Sequence, residues 1–465
     1  MKKVFAYLLL LICIMTLVGC GDGGKTELII GFWPDITETK DLAMYEAWKE
    51  AFEADYPEYE IIGDHYAYNT TTVGSKYTTG TLPHVFETWF TEPGKLVNNN
   101  YIRSIDEQLK ELGWDQYMDP SMKAAITFDG HIYGIPRDGY GLGLLINTKT
   151  FVENGLLEED ANHKAILYDE AGKPLYPTTF EEIYEASVVI AENSETKGIL
   201  ICSANKNGGW QFSNMAWNYG AELEIVDASG KVKANLDCKE AVDALTWIQR
   251  MKQEDLLLNK ASVTYDEWYN AIEEKVAMAI VGSDVLQLAQ TQGNVNMDDL
   301  AFVPMPTGDG IHHYSLFGGT PYVFSSEATD EEVIGILKFF EYIGRSPFIT
   351  DISKAAMETG NETAKAKNQP ILPVISPWTN QEYLDYRRQM DDKYITIDMY
   401  YYNDFYNGIK TNKHQEVPYG AQEMYEYLDT AIQAILTNPD TANPKNLLTT
   451  ANAKLQTYLD NNVNK

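Results

Sequence analysis

Two short segments place an aromatic ring close to a carboxylate just after an apolar run. Trp33 and Asp35 follow Leu28–Phe32, and Glu87 and Trp89 directly follow the pair Val-Phe. A flat ring stacks on an apolar C–H face, and a carboxylate accepts hydrogen bonds from hydroxyl groups. These pairs indicate noncovalent recognition of a solute that presents both kinds of surface. For Asp35 and Glu87 a second interpretation stays open, since each is one of 68 acidic residues and could be plain surface charge.

The apolar runs that carry these pairs are typical of strands in an open α/β sheet. Leu28–Phe32 predicts a short buried strand, Met44–Phe52 has the spacing of a helix, and Tyr59–Ile62 predicts the next strand. This βαβ order indicates a parallel sheet with helices on its faces. Ligands of such sheets sit beyond the carboxyl ends of the strands. The two aromatic–carboxylate pairs fall at that edge.

Further candidates lie where a strand ends or where the chain is expected to pass between two halves of the molecule. Asp138 and Tyr140 precede Gly141–Asn147, an apolar run broken by glycines that suits such a crossing. Asp138 could instead form only an ion pair with Arg137 at a hinge. The remaining candidate ligand-binding residues follow other predicted strands or stand in glycine-rich or proline-flanked loops: Trp210, Trp217, Ser283, Asp284, Gly319, Thr320 and Trp378.

Each aromatic candidate has a core alternative. Trp33 and Trp89 favour a cleft position because each follows a strand rather than lying within it. For Trp210 and Trp217 the sequence leaves cleft and core equally open. The carboxylate of Asp284 could bind a hydroxyl group, or it could cap the helix that begins at the next residue.

The charge balance of the chain excludes several classes of protein. Its 465 residues include 68 acidic and 36 basic side chains, which gives a net charge of −32. Such a surface repels phosphate backbones and anionic lipid head groups, so we expect no nucleic-acid partner and no membrane docking through protein charge. The aromatic content of 12% indicates a binding surface in addition to a core.

The first residues have the pattern of an export signal. A basic start at Lys2 and Lys3 precedes the apolar run Val4–Val18, which is too short to span a bilayer comfortably. The run ends in Leu-Val-Gly-Cys, which resembles a bacterial lipobox with Cys20 as the acylated residue. We therefore expect a signal peptide over 1–19, a lipidated cysteine and linker over 20–25, and a lipid anchor on the extracytoplasmic face of the bacterial cell membrane. A plain secretory signal is the alternative.

Motifs for common catalytic chemistry are absent from the sequence. It contains no phosphate-binding G-x-x-x-x-G-K-[ST], no H-E-x-x-H and no G-x-S-x-G. His312 and His313 are adjacent, so on a strand they would point to opposite faces and suit a metal poorly. Cys202 and Cys238 are expected to be unpaired and mostly buried. We predict a protein without cofactor or metal that is not an enzyme.

The order of these segments resembles the extracellular solute-binding lipoproteins of ABC importers, in particular the carbohydrate-binding group that includes maltose-binding protein. The resemblance covers nearly all of the chain from about Leu28 into the helices after Ile343. Five stretches carry it: Ile30–Trp33, Leu82–Glu87, Gly130–Pro136 with Leu145–Lys149, Pro177–Glu182, and Lys275–Gly282. Each is weak alone, and their order and spacing together are specific.

The resemblance implies an α/β, two-lobed, periplasmic-binding-protein-like fold with hinge crossover strands and a helical C-terminal region. Lobe one would hold 26–141 and 315–345, and lobe two 147–311 and 346–465. Two continuous domains in series are the alternative. The ligand would lie between the lobes, and glycine-rich Gly319 and Thr320 would belong to the returning crossover.

The resemblance also implies the function. The protein would capture a carbohydrate, an oligosaccharide, as a monomer and deliver it to the permease of an ABC transporter. In one place this sequence departs from the family pattern, because Gly282-Ser283-Asp284 lacks the aromatic ring often found two residues after that glycine. This departure argues against a maltodextrin ligand specifically.

Two rival functions remain open. One is a binding protein for another solute, such as a peptide or a polyamine, since the acidity would suit a cation. The other is an enzyme on the same fold that resembles thiaminase, with Cys202 as nucleophile after the strand Ile199–Ile201. Such a thiol would need a nearby base or helix N-terminus to lower its pKa.

Overall fold

The computed structural model describes residues 24–464 and confirms the predicted two-lobed α/β architecture. The predicted signal peptide, Cys20 and most of the linker lie outside the described residues. Nine strands, numbered in chain order with their bounds given below, form one hydrogen-bonded sheet. Seven of them follow the order β2-β1-β3-β12-β6-β10-β7, and the other two pair at its side, β11 with β6 and β13 with β12. Its two ends form the sheets of two separate lobes.

Lobe one is built on the parallel strands β1 and β2 with β3 beside them. Leu28 and Ile30 are fully buried against α1 and α12, which explains why this alternating apolar run forms a strand. The elements that open this lobe are β1 (Thr26–Ile30), α1 (Thr39–Asp55), β2 (Tyr59–Gly63), α2 (Val73–Thr78), β3 (Val85–Glu87), α3 (Pro93–Asn98), α4 (Asp106–Leu112), α5 (Pro120–Ala125), β4 (Thr127–Phe128) and β5 (His131–Ile132). The helix α12 follows later in the chain and spans Asp330–Tyr342.

Two long strands, β6 (Gly134–Asn147) and β12 (Ser315–Phe324), join the lobes. They pair antiparallel from Phe317 opposite Gly141 to Val323 opposite Gly134, with a register shift between Thr320 and Pro321. The glycines here permit close approach of neighbouring groups. A methyl group on Gly318 would come within 2.4 Å of the Tyr140 ring, and one on Gly319 within 2.5 Å of the Asp138 carbonyl oxygen.

Lobe two forms on the second half of β6, which pairs antiparallel with β10 and β11. The strand β10 runs Val-Ala-Met-Ala-Ile-Val-Gly and is buried along its whole length, as expected for a central strand. The elements of this part are α6 (Thr148–Glu153), α7 (Phe180–Asn193), β7 (Lys197–Leu200), α8 (Asn207–Asn218), β8 (Glu224–Val226), β9 (Val232–Ala234), α9 (Lys239–Gln253), α10 (Glu267–Ala271), β10 (Val276–Gly282), α11 (Leu288–Thr291) and β11 (Leu300–Val303).

The helical C-terminal region divides between the lobes. It comprises α13 (Asp351–Ala366), α14 (Gln381–Tyr394), α15 (Asn403–Asn412), β13 (Lys413–Gln415), α16 (Ala421–Thr437) and α17 (Pro444–Asn462). Met357 and Tyr383, from α13 and α14, belong to the core of lobe one, whereas Phe405 and Leu428 belong to the core of lobe two.

The prediction that all of 346–465 belongs to lobe two is therefore wrong for α13, Trp378 and α14, whereas Leu372 and Ile375 between them pack against the core of lobe two. The apolar faces of α13 and α14 are buried against lobe one, and lobe two resumes near Ile397. Within residues 24–464, none of the helices combines the length and apolar character that crossing a bilayer requires.

Candidate functional site

A cavity of about 300 Å³ lies between the lobes beside the crossover strands, and we call it the aromatic cavity. Lobe one and the crossovers contribute Trp89, Thr91, Tyr140 and Thr320 to its lining. Lobe two contributes the rest: Asn205, Lys206, Asn207, Trp210, Tyr265, Asp284, Val285, Glu416, Gln422 and Tyr425. Both lobes therefore surround the same space.

A second cavity of about 250 Å³ lies on the other flank of Asp284, and we call it the hinge cavity. Asp138, Ser283 and Asp284 line it from the crossover and from the end of β10. The opposite wall comes from α13, from 369–375 and from α14, where Arg387 and Asp391 contribute charge. Asp284 is the residue that the two cavities share.

Three aromatic rings form a corner in the aromatic cavity, and we call it the ring corner. Tyr140 and Trp210 have their ring centres 6.0 Å apart at 72°, and Trp210 and Tyr265 have theirs 5.2 Å apart at 90°. Trp89 stands on the lobe-one side with 44% of its surface exposed. Flat rings with free faces on both sides of a cleft are suited to stacking on a ring-shaped ligand.

The elements behind these rings explain their positions. Tyr140 lies on β6 where the chain leaves lobe one, and Trp210 lies in the first turns of α8, shortly after β7. Tyr265 is held in place by the backbone N–H of Gly282, which donates to its hydroxyl oxygen at 2.7 Å. The cavity thus lies at the carboxyl ends of β7 and β10, as the sequence predicted for an open α/β sheet.

Asp284 folds back over the end of β10. A methyl group on Gly282 would come within 2.5 Å of Asp284 Oδ1 and 3.5 Å of both Tyr140 and the Tyr265 hydroxyl. The Asp284 side chain is exposed to the space between the lobes, although protein atoms of both lobes surround it. Partial desolvation by these atoms, together with the negative charge of Asp138, raises the pKa of Asp284 to about 7.

A second carboxyl group in the cavity, that of Glu416, was missed by the sequence analysis. It accepts a hydrogen bond from the Tyr425 hydroxyl at 2.7 Å. Burial and the nearby charge of Glu92 raise the pKa of Glu416 to about 7. Glu416 follows the short strand β13, which carries no apolar pattern that would have predicted it.

Glu87 and Asp138 share one arginine as their ion-pair partner. Arg137 donates from Nη1 to Glu87 Oε1 at 2.9 Å and from Nε to Asp138 Oδ2 at 2.7 Å. Its Nη2 donates to the Thr320 hydroxyl at 3.3 Å. The hinge ion pair that was the alternative interpretation for Asp138 is present, and it also includes Glu87.

Three predicted cleft tryptophans lie instead in cores, so those predictions are wrong. Trp33 is 6% exposed and packs on Tyr45 of α1 at 5.2 Å, because the backbone pairing of β1 continues through it and turns its side chain inward. Trp217 is 2% exposed and stacks on His414 at 3.9 Å, since it lies two helical turns beyond Trp210 and deeper in lobe two.

Trp378 is the third correction. It is 1% exposed in the core of lobe one, 5.7 Å from Trp114, and its Nε1 donates to the carbonyl oxygen of Arg345 at 3.1 Å. Asp35 lines neither cavity. Its exposed carboxylate accepts hydrogen bonds from the backbone and hydroxyl of Thr37 in its own turn, which satisfies it locally.

The lobes touch across the mouth of the aromatic cavity. Gln422 of α16 donates from Nε2 to the Thr91 hydroxyl at 3.1 Å, and Lys95 and Glu423 lie 3.9 Å apart as an ion pair. These contacts bridge the two lobes beside the cavity, which stays open to solvent where Trp89 is exposed.

The environment of Cys202 is unfavourable for a nucleophile. The residue is fully buried, and burial together with the charge of Asp429 raises the pKa of its thiol. Cys202 and Cys238 are unpaired. In the part of the chain from 24 to 464, no group of three or more His, Cys, Asp or Glu side chains is placed to hold a metal ion.

The two raised carboxyl pKa values predict a pH-dependent stability. Both groups are protonated in the folded protein below pH 7, so their stabilising contribution is present at acidic pH and is lost as pH rises through about 7. Charged and titratable groups facing them are Arg137, Asp138, Tyr140, Tyr265, Arg387, Asp391, Tyr406, Tyr425 and Glu92.

The contribution is lost between the unfolded pKa values of about 4 and the folded values of about 7. We therefore expect the melting temperature without ligand to fall less between pH 5 and pH 7 in an Asp284→Asn/Glu416→Gln variant than in the parent. The exposed Asp440→Asn variant, from the turn between α16 and α17, serves as the control and should follow the parent. Equal pH slopes for the double variant and the parent would contradict the expectation.

The protein has two lobes that are joined by crossover strands, and residues of both lobes line the cavity between them. This arrangement is that of a two-lobed solute-binding protein. The chain belongs to the family of bacterial extracellular solute-binding proteins, whose model matches residues 47–373. A search of curated protein sequences finds no significant match.

Solved structures with the same fold include three informative neighbours. The GacH receptor of Streptomyces glaucescens, solved unliganded and with acarbose, is 15% identical with a TM-score of 0.66 over 94% of this chain and 99% of that one. A substrate-binding protein of Listeria monocytogenes in complex with cycloalternan is 12% identical, with a TM-score of 0.67 over 94% and 99%. UgpB from Mycobacterium tuberculosis with glycerophosphocholine is 13% identical, with a TM-score of 0.66 over 95% and 99%.

Proposed function

We propose that the protein captures a carbohydrate, an oligosaccharide, in the aromatic cavity and delivers it to the permease of an ABC transporter. The observation that carries the proposal is that rings from both lobes line one cavity, with Trp89 on one side and the ring corner on the other. Sugars present apolar C–H faces to such rings and hydroxyl edges to the polar side chains between them.

The polar lining supports the same ligand class. Asn205, Asn207 and Gln422 offer amide groups, and Thr91 and Thr320 offer hydroxyls, all within the one cavity. Amides and hydroxyls both donate and accept, which matches the dual character of sugar hydroxyl groups. Two of the structural neighbours were solved with acarbose or cycloalternan.

The mechanism we propose is hinge closure about β6 and β12. Ligand contacts to Trp89 in lobe one and to Trp210 in lobe two would be made together only in the closed state. A ligand that binds the closed state more tightly shifts the equilibrium toward it. The permease would then recognise the closed form. The protein acts as a monomer in this scheme and is held at the extracytoplasmic face by acyl chains on Cys20.

No chemical change of the ligand is part of this proposal. The buried Cys202 faces a core rather than the cavity, and the ligand should be released unaltered. Incubation of the protein with a bound oligosaccharide followed by mass spectrometry of the released ligand checks this. A shortened or modified product would contradict it.

The binding proposal is tested by a thermal-shift screen against oligosaccharides, peptides and polyamines, followed by calorimetry. A specific ligand raises the melting temperature by mass action. We expect Trp89→Ala to weaken the affinity of the best oligosaccharide by about tenfold, because one stacking face of about 1 kcal/mol or more is removed. Trp89→Phe, which keeps a ring, should recover most of it.

The outcome that would overturn the proposal is a panel in which peptides or polyamines raise the melting temperature and oligosaccharides do not. An unchanged affinity in Trp89→Ala would instead mean that the ligand does not contact the lobe-one side of the aromatic cavity.

A further inference from the structure

A carboxylate lies beside the ring corner. Asp284 Oδ1, the edge of the Tyr140 ring and the Tyr265 hydroxyl all approach the same point beside Gly282. Trp210 stands at a steep angle to both tyrosine rings and lines the same cavity as Asp284. The carboxylate is open to the aromatic cavity on one side and to the hinge cavity on the other.

Asp284 is without a positive partner. In the described part of the chain, its carboxylate has no ion pair, and Arg137, whose charge acts on it, is bonded to Glu87 and Asp138 instead. Asp284 therefore differs from Glu87 and Asp138, which both have an ion-pair partner in Arg137. The cost of leaving a carboxylate unpaired in this setting is visible in its raised pKa.

The other charged groups in the cavity do not supply the missing cation. Glu416 adds a second carboxyl group, which is bonded to Tyr425. Lys206 lines the aromatic cavity and Arg387 lines the hinge cavity, and among the described residues neither forms an ion pair with Asp284. Asp284 thus lies beside aromatic rings without a cation bonded to it.

We propose that the carbohydrate bound in the aromatic cavity carries a positively charged nitrogen, as an ammonium or a quaternary ammonium substituent, which sits against Asp284 inside the ring corner. This inference rests on the proposed function and specifies its ligand class. A cation over aromatic faces is attracted by their negative π clouds, and the carboxylate supplies a full opposite charge. Once the cation is bound, Asp284 is held in its ionised form.

The test compares oligosaccharides that differ only at one substituent. Glucosamine tetraose, its N-acetylated and N-trimethylated forms, and cellotetraose share a backbone, and the trimethylated form carries its charge at every pH. Spermidine and choline are included as cations without sugar rings. Affinities are measured by calorimetry at pH 7 for the parent, for Asp284→Asn and for the exposed control Asp440→Asn.

We expect the cationic tetraoses to bind at least tenfold more tightly than the neutral ones. That preference should disappear in Asp284→Asn and persist in Asp440→Asn. The melting temperature of each variant without ligand shows whether it is folded. If Asp284→Asn is folded and still binds the neutral tetraoses, a lost preference for the cationic ones reports lost charge recognition and not lost structure.

The outcomes distinguish this inference from the proposed function. Equal or tighter binding of the neutral tetraoses overturns the inference and leaves carbohydrate capture standing. Binding of spermidine or choline without binding of any oligosaccharide overturns carbohydrate capture and, with it, the inference of a charged carbohydrate. If none of the cationic probes binds, the inference is overturned.

Discussion

Replacing Trp210 with alanine is expected to lower the affinity for an oligosaccharide by about 30- to 150-fold, which corresponds to about 2–3 kcal/mol. Trp210 is the central member of the ring corner, since it contacts both Tyr140 and Tyr265. Its removal takes away a stacking face and also releases its two neighbours. Calorimetry on the best ligand of the screen measures the effect.

The control for this prediction is Trp210→Phe, which keeps a smaller ring and should lose less than tenfold. Because Trp210 is half-buried, the melting temperature of Trp210→Ala without ligand is measured as well. The affinity is then measured at a temperature well below that melting temperature. An affinity within threefold of the parent would mean that the ligand does not lie against the ring corner.

Replacing Trp378 with alanine is expected to lower the free energy of unfolding by about 3–5 kcal/mol while leaving ligand affinity unchanged at temperatures where the protein is folded. The side chain is almost fully buried in lobe one against Trp114, and its indole N–H donates to Arg345. Its loss creates a large cavity and leaves a carbonyl group without a partner.

A matched comparison comes from Trp89→Ala, which changes the same residue type at a position exposed to the cleft. We expect that variant to alter the free energy of unfolding by less than about 1 kcal/mol while weakening binding. Thermal unfolding should show a large loss of stability only for Trp378→Ala, and calorimetry should show a loss of ligand affinity only for Trp89→Ala. A Trp378→Ala variant that unfolds like the parent but loses affinity would contradict the core position of Trp378.

The fold was predictable because strand and helix patterns recur in a specific order along the chain. The strands around Leu28, Ile61 and Met278 are buried where the periodicity placed them. The division of the C-terminal helices was not predictable. An amphipathic face on α13 shows that the helix packs on something, but only the folded chain determines which lobe supplies the partner.

The candidate site was predictable only in part. Tyr140, Trp210 and Asp284 line the aromatic cavity and were placed there because they follow the ends of strands or stand at a crossover. Trp33 met the same criterion, yet its backbone continues the pairing of β1 and its ring faces the core. The rule locates a loop at the sheet edge and does not determine the direction of a side chain.

Several of the residues that were missed lie far from any predicted strand end. Tyr265 precedes a short helix, and Glu416 and Gln422 come from the C-terminal region. They reach the cavity through tertiary packing of α16 on α8 and of β13 on β12. Local patterns contain no signal for such long-range approach, so single-sequence reasoning had no basis for selecting them.

The central claim is that a carbohydrate lies between the lobes, with its rings on Trp89 from one lobe and on Trp210 from the other. A crystal structure of the protein with the best oligosaccharide of the screen tests this most directly. We expect density for sugar rings in the aromatic cavity, in contact with both tryptophans, and an unaltered ligand. Density confined to the hinge cavity or to an outer surface, with the aromatic cavity empty, would contradict the account.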